Sequence, residues 1–358
     1  MAISSQSGNQ SEAKLTCDHL WKVFGPNVDR LIRDSAIIDL PAPQRRQKLE
    51  AVGQIVAVED VSFSVQRGEL FVIMGLSGSG KSTVVRGIAQ LQRPSFGRVF
   101  LDDTQLNSMS EHELRVIRRR KIGMVFQNFG LVPHFTALEN IAFPLKVRGE
   151  QKQGLMTKAE EMLNLVGLDG RGGAYPSELS GGQQQRVGIA RSLAVDPEVW
   201  LLDEPFSALD PLIRRQLQDE LLELQSRLHK TIVFITHDFA EAVKLADRIA
   251  IMRDGRIVQL GSPADLLLSP ADDYVASFVQ DVSRLRVLKL VDIMSATTRE
   301  RGNEGRTVSV KASTTLEECL ISLPADAESI AVTDKDGAII GECSRQHLLA
   351  VAANQSER

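Results

Sequence analysis

The sequence predicts an α/β fold with a parallel sheet, and three short apolar segments carry that prediction. Residues 70–74, 199–202 and 231–236 are rich in Val, Ile, Leu and Phe and have the length of buried parallel strands. A glycine-rich loop and a helical pattern follow the first segment, and acidic or histidine residues follow the other two. Because the carboxyl ends of parallel strands face a common crevice, we expect a ligand site there.

The loop after the first strand has the form Gly-x-x-x-x-Gly-Lys-Ser and binds phosphate in proteins that carry it. Its glycines allow backbone N–H groups to surround phosphate, and the helix predicted over residues 82–89 adds partial positive charge. Lys81 is expected to reach the β- and γ-phosphates, and Ser82 to hold Mg²⁺ through its hydroxyl. The residues of this loop predicted to bind a nucleoside triphosphate are Gly75, Ser77, Gly78, Ser79, Gly80, Lys81, Ser82 and Thr83.

Charged residues follow the second and third strands. Asp203 suits Mg²⁺ coordination through water, and Glu204 is able to accept a proton from an attacking water. His237 offers a donor or acceptor at neutral pH and is placed to contact the γ-phosphate. Structural roles are the alternatives: Glu204 as a cap or as the partner of a surface Lys or Arg, and His237 as an ordinary strand-end residue. The phosphate loop favours the catalytic interpretation.

These elements, with three more in a fixed order, resemble those of ABC-type ATPases, the motor subunits of ABC transporters. The three are Gln127, residues 179–183 and residues 207–210. The resemblance covers roughly residues 15–280. It implies a P-loop NTPase fold of the ABC type, with a RecA-like core, an antiparallel β subdomain and a helical subdomain at about residues 128–190.

Residues 179–183, called the signature below, place two glycines before a helical pattern, where exposed N–H groups bind anions. In the family, two motor domains pair head to tail, and the signature of one chain caps the γ-phosphate held by the other. The resemblance therefore implies a homodimer in which Ser180 and Gly182 act in trans. A helix merely N-capped by Ser180 is the alternative. The signature residues are Leu179, Ser180, Gly181, Gly182 and Gln183, and the D-loop residues are Ser207, Ala208, Leu209 and Asp210.

The resemblance also assigns roles around the nucleotide, ATP. Gln127 is expected to contact Mg²⁺ and the attacking water, and the metal residues are Ser82, Gln127 and Asp203. In the family, residues 128–146 lead into the helical subdomain, whose groove receives a helix of the membrane-spanning partner. A packed helical insert without a partner is the alternative. The predicted catalytic residues are Glu204, His237, Gln127 and Lys81.

An aromatic side chain is expected to stack on adenine, for about 1 kcal/mol beyond burial. In the family this residue lies upstream of the phosphate loop, where Phe24 fits best and Trp21 is the second candidate. An insert, residues 26–54, separates this segment from the next matching strand. The sequence does not indicate what the insert contacts.

Composition narrows the classes of partner. The chain of 358 residues is long enough for two or three domains, and a net charge of −4 with 5% aromatic residues argues against a nucleic-acid partner. No apolar run is long enough to span a bilayer, and residues 1–14 are polar and predicted to be disordered. Cys17, Cys319 and Cys343 show no metal-ligand spacing and fit a reduced cytosol. We expect an ATPase domain over residues 15–281.

Residues 282–358 form a β-α-β-β-α pattern that resembles a single CBS repeat, a small α+β domain. Predicted strands at 307–310, 329–333 and 338–341 accompany helices at 315–323 and 345–352, and Asp336-Gly337 gives a strong hairpin signal. CBS repeats usually pair around a nucleotide and often carry Asp where His347 stands here. A packing or dimerisation module is therefore expected, with nucleotide binding and sensing of ionic strength as open alternatives.

Three segments resemble ATP-binding subunits of glycine betaine/proline betaine importers: residues 71–83, 206–214 and 270–275. The insert and the CBS-like region also belong to that group. The resemblance implies import of quaternary-amine osmoprotectants such as glycine betaine, proline betaine or choline. It also implies an integral membrane permease subunit, a substrate-binding protein, and a location on the cytoplasmic face of the plasma (inner) membrane. The alternatives are a transporter of other cargo, such as an amino acid importer or an exporter, and an ABC ATPase outside transport.

Overall fold

The computed structural model describes residues 13–127, 130–280, 282–296 and 306–353. The chain divides into two compact units, residues 1–260 and 261–358, whereas the sequence predicts a boundary at 281. The first unit contains strands β1 (Ala13–Phe24), β2 (Ile55–Gln66), β3 (Leu70–Met74), β4 (Phe96–Leu101), β5 (Thr104–Gln105), β6 (Ile122–Val125), β7 (Val199–Asp203), β8 (Thr231–Thr236), β9 (Arg248–Arg253) and β10 (Arg256–Gly261), the last of which ends at the division. Its α-helices are α1 (Val28–Leu31), α2 (Ser35–Ile38), α3 (Ala42–Ala51), α4 (Lys81–Ile88), α5 (Glu111–Arg120), α6 (Ala137–Arg148), α7 (Lys152–Leu165), α8 (Gly181–Leu193), α9 (Pro211–Leu228) and α10 (Phe239–Leu245).

The central sheet has the strand order β10-β9-β3-β8-β7-β6. β9, β3, β8, β7 and β6 pair in parallel. Every residue of β3, β7 and β8 is buried, as expected of strands covered on both faces. The three predicted strands are confirmed, and their carboxyl ends lie side by side.

A second sheet, of order β2-β1-β4-β5, is antiparallel. β1 begins at Ala13, inside the segment predicted to be disordered, and residues 1–12 of that segment lie outside the described residues. Lys14 is buried in β1, where its ammonium pairs with Asp102 and Glu198. These ion pairs fix the start of the strand.

The insert folds as the short helices α1, α2 and α3 and returns the chain to β2. Its apolar side chains pack on β1 and β2 in a small cluster. The buried members of this cluster are Trp21, Val23, Ile37, Leu49 and Val56.

Helices α6, α7 and α8 pack on one another within the region where the sequence predicts a helical subdomain. Asn128, the first predicted residue of that subdomain, lies outside the described residues together with Phe129. Thr136 caps α6 in a capping box with Glu139, which satisfies N–H groups of the first helical turn. Three helices, at 137–148, 152–165 and 181–193, thus occupy much of the range 128–190 in which the sequence predicts a helical subdomain.

The second unit contains a sheet of order β11-β14-β13-β12. β12 and β13 are parallel, whereas β13 and β14 form the predicted hairpin. At its turn, Asp334 accepts hydrogen bonds from the N–H groups of Asp336 and Ala338, and Gly337 adopts a φ of 85°. Residue 281, the last of the predicted ATPase domain, and residues 297–305 and 354–358 of the predicted CBS-like region lie outside the described residues. The elements of this unit are α11 (Pro263–Leu268), α12 (Asp273–Val279), α13 (Arg284–Val287), α14 (Leu290–Ile293), β11 (Ser295–Ala296), β12 (Arg306–Lys311), α15 (Leu316–Ser322), β13 (Ala327–Thr333), β14 (Ile339–Ser344) and α16 (Arg345–Ala353).

Candidate active site

The glycine-rich loop connects β3 to α4 in a conformation that requires glycine at its two ends. Gly75 has a φ of 151°, and a Cβ there would meet the carbonyl oxygen of Met252 at 2.3 Å. Gly80 has a φ of 101°, and a Cβ there would meet the carbonyl oxygen of Ala57 at 2.5 Å. Neighbouring backbone therefore packs directly against the loop and holds it in shape.

Lys81, the first residue of α4, is buried and folds back over the loop. Its Nζ donates hydrogen bonds to the carbonyl oxygens of Gly75 at 2.8 Å and Leu76 at 3.0 Å. It also lies 3.7 Å from Oε1 of Glu204. Burial lowers the pKa of Lys81, and the nearby carboxylates of Glu204 and Asp203 oppose that shift. The negative charge of a bound phosphate group would stabilise this ammonium further.

Ser82 and Asp203 meet where α4 faces the end of β7. The Ser82 hydroxyl donates a 2.8 Å hydrogen bond to Oδ1 of Asp203, and Arg86 lies 3.9 Å from Oδ2. Burial raises the pKa of Asp203, while the Ser82 hydrogen bond and the charge of Arg86 act in the opposite direction. Hydroxyl and carboxylate oxygens are the donors that Mg²⁺ prefers, so this pair fits the predicted metal. Sequence reasoning missed Arg86, whose only signal was its place one turn after Ser82.

Glu204, which follows β7, lies at the centre of the predicted catalytic group. Its Oε2 lies 3.1 Å from Nδ1 of His237 and accepts a long hydrogen bond, 3.5 Å, from Nε2 of Gln127. Its backbone adopts a φ of 45°, a conformation that costs energy for residues other than glycine and that concentrates at functional sites. The β7, β8 and β6 strand ends thus bring the three predicted side chains together.

These groups line a cleft of about 500 Å³, within the size range of ligand-binding pockets. The hydroxyl of Ser79 is buried beside the loop without a hydrogen-bond partner among the described residues. In the described part of the chain, Ser79 itself is not among the residues that line the cleft. Ala57 and Leu76 also line the cleft, but sequence reasoning missed them because their apolar side chains do not indicate a nucleotide contact. The lining residues are Ala57, Leu76, Ser77, Gly78, Gly80, Lys81, Ser82, Thr83, Gln127, Glu204 and His237.

The signature starts α8, and the described residues that line the cleft include none of its members. Ser180 is the N-cap, and both glycines lie within the first helical turn rather than before it. Ser180 and Gln183 form a capping box, so the capping role that was the alternative is present. Ser180 and Gly181 are nevertheless exposed, so a phosphate can still approach this helix N-terminus.

The D-loop joins Glu204 to the signature. The Ser207 hydroxyl donates to the carbonyl oxygen of Glu204 at 3.1 Å, and Asp210 caps α9. Leu209 is buried, and a Cβ on Gly181 would lie 3.4 Å from its Cδ2. Ala208 completes this tight turn. The backbone of Glu204 and the signature are therefore connected through the packing of the D-loop.

The two aromatic candidates for adenine stacking lie in different surroundings. Trp21 is fully buried in the insert cluster, where it packs edge-on against Phe96 and lies beneath Arg45. It has no surface to offer a ligand. Phe24 is 37% exposed and pairs with Ile55, two residues before the cleft-lining Ala57. Phe24 remains the predicted platform.

The fold and the cleft define a P-loop ATPase of the ATP-binding cassette type. A family model described as ABC transporter matches residues 58–207. The trimethylamine N-oxide transport system ATP-binding protein of Pelagibacter ubique is 48% identical over 332 residues, which cover 92% of this chain and 95% of that protein. The glycine betaine transport ATP-binding protein of Bacillus subtilis is 45% identical over 304 residues, or 85% of this chain and 72% of that protein.

A dimeric structure of the ATP-binding cassette MJ0796 bound to ADP and Pi is similar, with a TM-score of 0.58 and 33% identity. The match covers 70% of this chain and 98% of that one. This chain belongs to the ABC transporter family of ATP-binding proteins, and it is an ATPase. Among the described residues, no helix combines the length and apolar character that crossing a membrane requires.

Proposed function

We propose that this chain is the ATP-hydrolysing motor of an importer for quaternary-amine osmoprotectants such as glycine betaine, proline betaine or choline. One observation carries the proposal: relatives that match 85–92% of the chain serve trimethylamine N-oxide and glycine betaine. Both compounds carry a nitrogen with three methyl groups. The nucleotide cleft provides the motor, and the match along 85–92% of the chain connects that motor to this class of cargo.

Within the cleft, ATP is held by the loop and by Lys81, whose ammonium replaces its two carbonyl contacts with phosphate oxygens. Glu204 accepts a proton from the attacking water, and its position at 3.1 Å from His237 lets the imidazole orient that water. Gln127 approaches the same carboxylate from β6. Lys81 then stabilises the negative charge that develops on the γ-phosphate.

The donor set fits Mg²⁺. Ser82 and Asp203 would hold it, with Gln127 as the third contact, and the ion would neutralise charge on the β- and γ-phosphates. Phe24 would stack on adenine. The remaining nucleotide contacts would come from the loop backbone, including that of Ser79, and from the hydroxyls of Ser77 and Thr83, which line the cleft.

The signature would act on a second chain. Its helix N-terminus is exposed and absent from the lining of its own cleft, which supports a γ-phosphate contact in trans. The similar MJ0796 cassette is dimeric. In a head-to-tail homodimer, two ATP molecules would each lie between the loop of one chain and the signature of the other. Binding would close the dimer, and hydrolysis would reopen it.

Closure would drive a membrane permease subunit, and a substrate-binding protein would deliver the amine. The relatives are named as ATP-binding proteins of transport systems, which supports these partners and a position on the cytoplasmic face of the plasma (inner) membrane. The predicted ATPase domain ends at 281. The CBS-like domain that follows would serve packing or dimerisation rather than chemistry, and no nucleic acid takes part.

Reconstitution in liposomes tests the proposal. The chain, its permease and its binding protein are assayed for ATP hydrolysis with glycine betaine, choline, trimethylamine N-oxide, proline and a panel of amino acids, at two salt concentrations. We expect stimulation by compounds with a trimethylated nitrogen and none by the amino acids of the panel. Stimulation by amino acids alone, or by no compound at all, would contradict the cargo class. A response to salt that disappears on removal of residues 282–358 would identify that region as a sensor.

A further inference from the structure

Arg46 of α3 connects the insert to segments that neighbour the phosphate loop. Its Nη1 donates a 2.8 Å hydrogen bond to Oε2 of Glu59 and a 2.9 Å hydrogen bond to the carbonyl oxygen of Asp254. Its Nε donates to Glu50 on the same helix. A single guanidinium thus joins the insert, β2 and the turn between β9 and β10, and only a planar fork of several donors does this at once.

That turn supports the phosphate loop directly. The N–H of Gly255 donates to the carbonyl oxygen of Ser79 at 3.1 Å, and the N–H of Glu59 donates to the carbonyl oxygen of Gly255 at 2.8 Å. The Cα of Gly255 would lie 3.5 Å from a Cβ on Gly80. Movement of the turn would therefore shift the loop backbone that holds phosphate.

The burial of Glu59 makes the position of the Asp254-Gly255 turn depend on Arg46. Its side chain is 1% exposed, and its two oxygens are shared between Arg46 and Arg256. A buried carboxylate that loses a partner destabilises its surroundings strongly. Both residues that hold this carboxylate are linked to the turn: Arg256 belongs to β10, and Arg46 bonds to Asp254.

We propose that Arg46 is a positioning residue for ATP binding, through which the insert holds the Asp254-Gly255 turn against the phosphate loop. The inference rests on the proposed nucleotide site and gives the insert a role in it. The hydrogen-bond partners given above for Arg46 are not among the described residues that line the cleft, so its effect falls on nucleotide affinity and not on the proton transfer at Glu204.

The test compares Arg46→Met with Lys48→Met in the full chain. Lys48 lies on the same helix and bonds to Ala36 inside the insert, so its replacement removes the same charge without touching the turn. Arg46→Met should raise the Kd and the KM for ATP about three- to tenfold, the scale on which residues outside a site alter binding, with kcat within about twofold. Lys48→Met should leave all three unchanged. Arg46→Lys should recover part of the affinity.

A double variant separates positioning from stability. Arg46→Met with Glu59→Gln removes the buried carboxylate that has lost one of its two partners, so the Tm should return towards that of the parent while the weak ATP affinity persists. Affinity restored together with the Tm would overturn the inference, and so would an Arg46→Met chain that is folded and binds ATP like Lys48→Met. If the parent chain binds no ATP, the proposed function fails first. If the parent binds ATP but no amine stimulates transport, only the cargo assignment fails.

Discussion

Glycines stand at the start of two helices of this chain, Gly80 as the N-cap of α4 and Gly181 as the first residue of α8, and their surroundings differ. At the start of α4, Lys81 is buried, and Gln127, Glu204 and His237 line the same cleft from the ends of the neighbouring strands. At the start of α8, Ser180 and Gly181 are exposed, and the flanking contacts come from the D-loop and α9. Around the first helix, one chain thus gathers all its predicted catalytic residues, called the catalytic cluster below; around the second it exposes a helix start with no catalytic residue beside it, called the half site. The difference supports two chains as the working unit.

Replacement of Glu204, which belongs to the catalytic cluster, gives the largest expected effect. Glu204→Gln removes the proton acceptor but keeps the size and most contacts of the side chain, so kcat should fall about 10²- to 10⁴-fold. ATP binding should persist, and the closed dimer should accumulate on size-exclusion chromatography with ATP. Hydrolysis is followed by phosphate release. A variant that turns over ATP at the parental rate would remove Glu204 from the role of base.

Gly181→Asp alters the half site with little risk to the fold. The position is exposed and helical, and an acidic residue in a first turn stabilises a helix by about 0.3–1 kcal/mol. Its charge repels phosphate, so steady-state hydrolysis should fall about a hundredfold, the loss typical when one anion-stabilising group is removed. ATP binding to the monomer, measured by calorimetry in dilute protein, should not change. Weaker binding in the monomer would place the signature at its own chain's cleft.

The pH dependence of ATP binding tests the catalytic cluster without the half site. Burial lowers the pKa of Lys81 below its ordinary value of 10.5, so the ammonium loses its proton at a lower pH than an exposed lysine. The Kd for ATP should therefore rise as the pH increases towards that value. Lys81→Arg binds less well, but its charge does not titrate in this range, so its alkaline rise should disappear. An identical rise in Lys81→Arg would assign the titration to another group.

Burial raises the pKa of Asp203 above its ordinary value of 3.8, which predicts the acid limb of the same profile. As the pH falls, Asp203 gains a proton earlier than an exposed aspartate and loses its capacity to hold a cation. Hydrolysis should therefore decline at a higher pH than ATP binding measured without metal. Coincident declines of both quantities would contradict this assignment.

The smallest effect is expected at the adenine platform. Phe24→Ala should raise the Kd for ATP about fivefold, since aromatic stacking contributes about 0.5–1.5 kcal/mol, and Phe24→Tyr should restore it. Trp21→Ala serves as the contrast, because emptying a buried aromatic site costs about 3–5 kcal/mol of folding stability. Thermal unfolding and ATP titration together separate the two. Equal affinity in Phe24→Ala and the parent would show that another group contacts the base.

The local parts of the fold were predictable from the sequence, and the parts that depend on distant contacts were not. The strands at Leu70–Met74 and Thr231–Thr236 and the hairpin at Gly337 follow from short apolar segments and turn residues. The choice between Trp21 and Phe24 did not, because register shifts in β1 break the alternation that would assign their faces. Once the phosphate loop was recognised, the order of the motifs predicted the cleft.

The role of the insert required the structure. Arg46 donates hydrogen bonds to Glu59 in β2 and to the carbonyl oxygen of Asp254, which lies 208 residues further along the chain. No periodicity in the sequence indicates such a contact. The Asp254-Gly255 turn did carry a signal, since Asp-Gly between apolar segments favours a tight turn, but the signal does not reveal what the turn supports.

Mixing two inactive chains tests most directly the claim that each site is completed by a second chain. Lys81→Met disables the phosphate loop, and Gly181→Asp disables the signature. In a head-to-tail dimer of the two variants, one site combines the intact loop of the Gly181→Asp chain with the intact signature of the Lys81→Met chain. We predict that the mixture hydrolyses ATP well above the sum of the separate variants, at a rate that depends on their ratio. Activity no higher than that sum at any ratio would contradict completion in trans.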